Sequence, residues 1–195
     1  MTVLPVRVFP DPILRKKSRT VKRFDSALRT LARDMVETMR RANGVGLAAQ
    51  QIGDLRRIAV IQVPEQEPIT LVNPEITHRE GTEEMTEGCL SVPGYYGLVP
   101  RATVVRLRAQ DESGKRYTLT AEGLLAQAVQ HEVGHLDGGL YLDHLVSHDS
   151  LRRTGYLPGS PAWAEHGYPV YPHRTPGLPA DAELVRALDA AARHP

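Results

Sequence analysis

The 195-residue sequence holds a single cysteine, two phenylalanines and one tryptophan. One cysteine cannot close an internal disulfide, so no disulfide framework supports the fold and the chain suits a reducing compartment. Charge of one sign is equally scarce, because 24 Lys and Arg stand against 23 Asp and Glu for a formal net charge of +1. That balance offers no broad cationic field for nucleic acid or an anionic membrane. No apolar run approaches the ~20 residues needed to cross a bilayer, and the amino terminus lacks a charged-then-apolar signal pattern. Internal repeats are absent. A cytoplasmic location is the expectation that follows, for a chain whose 41% hydrophobic residues can build one sizeable core.

What is present begins with His131-Glu132-Val133-Gly134-His135. At about 3.6 residues per turn, two histidines four apart leave one helix face and can ligate one ion. Glu132 then sits beside a water on that ion without being a ligand. A divalent ion lowers the pKa of such a water towards ~7, and a neighbouring carboxylate can take its proton and later return it. The pentad points to a metal-dependent hydrolase; the plain alternative is a helix that merely carries two of the 8 histidines. A third ligand decides between them. Cys89 lies in Glu87-Gly88-Cys89-Leu90-Ser91, a turn-like run between strand-like segments. Alone, a single cysteine reads as an inert buried hydrophobe. Beside the histidine helix, one thiolate and two neutral imidazoles leave one tetrahedral position open, as catalytic sites require.

A third segment, GVGLAAQQ at residues 44–51, lacks the lysine and Ser/Thr of a phosphate loop and follows a helix instead of a strand. Its small residues let a backbone pass close to a ligand, and an adjacent amide could donate to a developing oxyanion. Read plainly, it is a helix C-cap at Gly44 with tight packing beyond. Elsewhere, Asp25 or Ser26 can cap a helix whose Leu28, Leu31, Met35, Val36 and Met39 share a side, ended by Asn43-Gly44. Strand-like runs follow at 57–63, 70–76, 104–109 and 116–120, and the motif helix spans about 122–137 before Gly138-Gly139.

GVGLAAQQ, EGCLS and QHEVGH, with FPDPILR at residues 9–15, together resemble the peptide deformylase family. Its members carry G-x-G-x-A-A-x-Q, E-G-C-L-S and Q-H-E-x-D-H in this order, and the resemblance covers about residues 5–146. It implies an α+β fold, with antiparallel strands packed around a central helix bearing the HExxH pentad, and a C-terminal extension. The implied division is a catalytic domain at 1–146 and an extension at 147–195. The implied activity is hydrolysis of the formyl group from formylmethionyl peptides, releasing formate. Cys89, His131 and His135 would bind the metal, natively Fe²⁺, with Ni²⁺, Co²⁺ or Zn²⁺ as substitutes. Glu132 would be general base and then acid, while Gln51 and the Leu90 backbone N–H would stabilise the oxyanion.

One position departs from the family pattern: Gly134 replaces the usual aspartate. The expected costs are ~1 kcal/mol of helix propensity and a lost outer-shell partner, with Arg101 left without an acid. For the substrate, Val45, Leu47 and Leu124 are expected to form a slot for the methionine side chain. Gly46 and Gly94 are expected to offer backbone to an extended peptide, with Tyr96 flanking it. Gln127 falls on the ligand face of the motif helix and is read as reaching solvent, with a narrowed or polarised slot as the other reading.

Beyond residue 147, a Pro- and Gly-rich stretch at 155–180 contains Trp163, and 181–193 reads as a short helix with Leu184, Val185 and Leu188 near one face. It either packs back on the catalytic domain or serves as a docking element close to the ribosome. Direct nucleic-acid binding is not expected of its mixed charges. Two other functions fit parts of the chain. A metallopeptidase would use the pentad but leave Cys89 and Gln51 unexplained, and a non-catalytic paralogue would bind formyl-peptide mimics without turnover.

Overall fold

A computed structural model describes residues 2–153 and 178–179. Its regular elements are α1 Ser26–Arg41, β1 Gly46–Ala48, β2 Ile58–Ile61, β3 Ile69–Glu80, β4 Glu83–Cys89, β5 Val92–Arg101, β6 Val104–Gln110, β7 Arg116–Glu122, α2 Gly123–Leu136, β8 Arg152–Arg153 and β9 Leu178–Pro179. The class is α+β, as the residues predict. No helix among the described residues is long and apolar enough to cross a membrane.

Helix α1 starts where its polar residue can cap it: Asp25 accepts a hydrogen bond from the Leu28 N–H at 3.1 Å. Its buried stripe is Leu28, Leu31, Ala32, Met35 and Met39. At the other end Asn43 takes the left-handed conformation, φ 54°. The Asn43 and Gly44 N–H groups return to Arg40 and Met39 carbonyls, a Schellman closure. The helix therefore ends as the sequence predicts, yet Gly44 is not the left-handed residue. A Cβ there would lie 2.8 Å from Leu90 Cδ1, so the tip of that side chain would have to shift.

Five strands form an antiparallel sheet in the order β1-β2-β3-β6-β7. Ile58 and Val60 of β2 join the cluster of α1, whereas Ile61 joins the cluster of α2 and Ala59 packs with Leu136. Both faces are covered by helices, so all four β2 residues are buried and the run shows no polar alternation. The second sheet has the order β4-β5-β8-β9, with β4 at one edge among the described residues. Its β4–β5 hairpin turns at Leu90-Ser91, and β8 and β9 add short antiparallel pairings beyond β5. The turn expected at Cys89 is the end of this hairpin, whose two strands lie outside the strand-like runs read from the sequence.

The motif helix is two residues shorter than the 122–137 reading and stops by a second Schellman closure. Gly138 sits at φ 87° with its N–H on His135 O, and Gly139 N–H reaches Gly134 O. A Cβ at Gly138 would lie 2.7 Å from Arg15 O, so glycine is needed both for the turn and for the close approach. Residue 178–179 pairing apart, the expected Pro- and Gly-rich stretch and the 181–193 helix lie outside the described residues.

Candidate active site

Helix α2 packs with Ala126, Ala128, Val129 and Val133 in the sheet cluster, and His131, beside Ala128, faces the cavity shared with β4. Strand β4 places Cys89 at its end, beside the helix. The ligand atoms of Cys89, His131 and His135 all lie within 4.8 Å of one another. Cys89 Sγ is 3.2 Å from His135 Nε2. His131 Nδ1 is 2.9 Å from Glu87 Oε2, which leaves its Nε2 for the centre of the cluster.

Glu87 is the link that the sequence reading missed. Its carboxylate accepts two bonds from Arg101, at 2.7 and 2.8 Å, as well as facing His131. Burial opposes charge on Glu87, but the hydrogen bonds from Arg101 and His131 prevail and bring its pKa down to about 2. Arg101 is therefore not left without an acid: it is held bidentately by a carboxylate that is itself almost wholly buried. The available signal was the period of the strand, because Glu87 lies two residues before Cys89 and so shares its face.

Gly134 thus costs no ion pair to Arg101. A Cβ at Gly134 would meet nothing within 4 Å. Gly134→Ala should raise the unfolding free energy by about 0.8–1 kcal/mol, read by urea titration, through helix propensity alone. No gain would mean that the helix is strained at this point.

A cavity of about 390 Å³ opens over the cluster. Val45, Gly46, Gln51, Cys89, Leu90, Leu124, His131 and Glu132 all line it, so eight of the twelve residues selected from the sequence share one space. His135 lies behind, 1% exposed. Leu47 is a correction. Strand alternation points Gly46 and Ala48 to the α2 side and Leu47 to the α1 side, where it is fully buried among core residues. Gly94 and Tyr96 are also absent from the lining. They sit on β5, behind β4, where Tyr96 pairs with Gly88 and Arg152. Gln127 does line the cavity, and its Nε2 donates to Thr86 O at 2.9 Å instead of reaching free into solvent.

Gln51 is fixed from both ends. Its Oε1 accepts from the Ala48 N–H at 2.8 Å, which settles the orientation of the amide. Nε2 then lies 3.2 Å from Ser91 Oγ and 3.5 Å from Cys89 Sγ, on the cavity side. Glu132 is 3% exposed, and its Oε2 has no hydrogen-bond partner among the described residues. Burial raises its pKa to about 7, with the charge of His131 opposing and that of Glu87 adding. Gly46 lies against it: a Cβ there would be 2.2 Å from Glu132 Oε1.

Burial works against charge on both histidines, yet partners Cys89 and Glu87 raise the pKa of His131 well above its ordinary range. His135 is held well below it, by burial first and by His131 next. One thiolate-forming and two imidazole donors, converging in a buried space beside an orphaned carboxylate oxygen, fit a borderline-soft transition metal.

A profile of the polypeptide deformylase family matches residues 3–150. The chain belongs to the peptide deformylase family. The peptide deformylase of Hahella chejuensis is 51% identical over 157 residues, 79% of this chain and 92% of that one. That of Dehalococcoides mccartyi is 44% identical over 156 residues, covering 80% and 93%. Among solved structures, the deformylase of Thermus thermophilus matches with TM-score 0.72 and 49% identity over 73% of this chain and 86% of that one. The Synechococcus elongatus enzyme, solved in complex with actinonin, matches with TM-score 0.73 and 39% identity over 75% and 81%. Family membership sets aside the metallopeptidase. The protein is a metal-dependent amide hydrolase that removes the N-formyl group from the N-terminal formylmethionine of newly made polypeptides and releases formate.

Proposed function

We propose that Cys89, His131 and His135 hold one divalent ion, natively Fe²⁺, that Glu132 moves the proton, and that Gln51 and the Leu90 N–H receive the developing oxyanion. The observation that carries this reading is the one cavity lined together by Cys89, His131, Glu132 and the anchored Gln51, with His135 completing the donor cluster behind it. Soft thiolate and imidazole donors also accommodate Ni²⁺, Co²⁺ or Zn²⁺. When bound, the ion supplies Lewis acidity that makes a water nucleophilic near neutral pH.

The remaining work falls to the residues of the chain. Glu132, with a carboxyl of pKa about 7, accepts the proton of the attacking water and passes it to the leaving amine. The Gln51 N–H groups are aimed before the substrate arrives, because Ala48 holds the other end of the amide. Val45 and Leu124 border the methionine side chain, and Gly46, on the outer strand β1, lies beside the peptide backbone. Substrates of this kind are nascent chains, so the enzyme works in the cytoplasm, close to the ribosome.

Gly46→Ala tests the packing beneath the base. A methyl group would displace the Glu132 carboxylate while leaving the ligands in place. The expected result is a fall in kcat of about 10²-fold, with unchanged circular dichroism and one metal per chain. Full activity would show that Glu132 works from another position.

The functional reading as a whole is tested by formate release from formyl-Met-Ala-Ser. Protein purified anaerobically and loaded with Fe²⁺, Ni²⁺ or Zn²⁺ should turn the peptide over and be blocked by a hydroxamate. Stoichiometric metal without turnover would overturn it in favour of a binding-only paralogue.

A further inference from the structure

One group in the cavity wall has no part in the hydrolytic chemistry. Past His131, α2 presents Ala128, Gln127 and Leu124, opposite Met85 and Thr86 of β4. Under the reading above, this slot receives the first side chain of the formyl peptide. Its walls there are apolar except for the Gln127 amide, the Thr86 strand and the exposed Glu83.

Among the described residues, Gln127 makes one side-chain hydrogen bond, from Nε2 to Thr86 O at 2.9 Å. A primary amide offers two N–H donors and an acceptor oxygen, so a donor and the acceptor remain. Gln127 lines the cavity, and the Thr86 bond ties its amide to the wall. An aliphatic side chain filling the slot would cover these groups without replacing their bonds to water, which is unfavourable. A tip carrying a strong acceptor would replace one of them.

We propose that Gln127 adapts the slot to a hydrogen-bonding tip, and that N-formyl peptides beginning with methionine sulfoxide are substrates alongside formylmethionyl peptides. The inference rests on the deformylase reading of the same site. Methionine sulfoxide keeps the unbranched length of methionine and adds one oxygen at sulfur, an acceptor for the second Gln127 N–H. The side chain is not altered in the reaction. Water adds to the formyl carbon, the C–N bond breaks, and formate and the free amine of the sulfoxide peptide are the products.

The test compares kcat/KM for formyl-Met-Ala-Ser and its sulfoxide form in Ni²⁺-loaded wild type, Gln127→Met and Gln127→Leu. In wild type the sulfoxide peptide should fall within about tenfold of the methionine peptide, and the sulfoxide-to-methionine ratio should drop by about tenfold or more in the variants, the weight of one hydrogen bond. Because the ratio is internal to each protein, either variant supplies it whatever its absolute rate. A wild-type sulfoxide rate more than about a hundredfold below that for methionine overturns the proposal. So does a ratio that neither variant changes. Absence of wild-type turnover on formyl-Met-Ala-Ser, with one nickel per chain, would instead overturn the functional reading.

Discussion

Glu132→Gln lowers kcat for formyl-Met-Ala-Ser by about 10³-fold, within the range for a removed general acid and base, and leaves metal content at one ion per chain. The substitution keeps the shape of the side chain and removes only its ability to take a proton. The three ligands are untouched, and so is the Glu87 bond that orients His131. Hydroxamate affinity should therefore change far less than kcat. Stability should move the other way. Glu132 is buried with one oxygen unpartnered, and its pKa is raised from 4.5 to about 7. A carboxyl so raised costs folding free energy increasingly from pH 4.5 up to about 7, so metal-free Glu132→Gln should gain stability over metal-free wild type across that window. Retained turnover in the variant would remove Glu132 from the mechanism.

Arg101→Ala destabilises the protein by about 3–5 kcal/mol, the range for breaking a buried ion pair on one side, and weakens metal binding by about 10–100-fold. The magnitude follows from what stays behind. Glu87 has only 2% of its side chain exposed and would face the cluster with His131 as its one remaining partner among the described residues. It would no longer hold the His131 ring in one orientation. Urea unfolding and competition with a chelator read the two effects separately, and Arg101→Lys should recover only part of each because the fork is lost. A change below about 1 kcal/mol, as for an exposed pair, would show that Arg101 is not part of the support. The same pairing sets an acid limit. With the Glu87 pKa depressed from 4.5 to about 2, its contribution is complete above pH 4.5 and is lost as pH falls towards 2. The stability gap between metal-free wild type and Glu87→Gln should close over that interval.

The cluster of Cys89, His131 and His135 was legible because each member rests on a local rule. His131 and His135 follow from helical spacing, and Cys89 from being the only cysteine in a turn beside them. Helix α1 and its ends were legible for the same reason, as caps and closures involve neighbours in sequence. Residues assigned to the peptide site fared differently. Leu47 was placed on the wrong side because β1 has three residues, too few to display its alternation. Gly94 and Tyr96 follow Cys89 closely in sequence, yet the hairpin folds them behind β4. The Arg101–Glu87 pair spans 14 residues across that hairpin, so it depends on strand register and not on any motif. Gln127 was ambiguous because its partner, Thr86 O, lies 41 residues away and on the backbone.

The most direct test of the central claim is X-ray absorption at the nickel edge of Ni²⁺-loaded wild type, beside Cys89→Ser. The account predicts one sulfur and two nitrogen ligands from protein in the wild type, and loss of the sulfur together with formate release in the variant. A wild-type centre without sulfur, or one with four protein ligands and no open position, would contradict it.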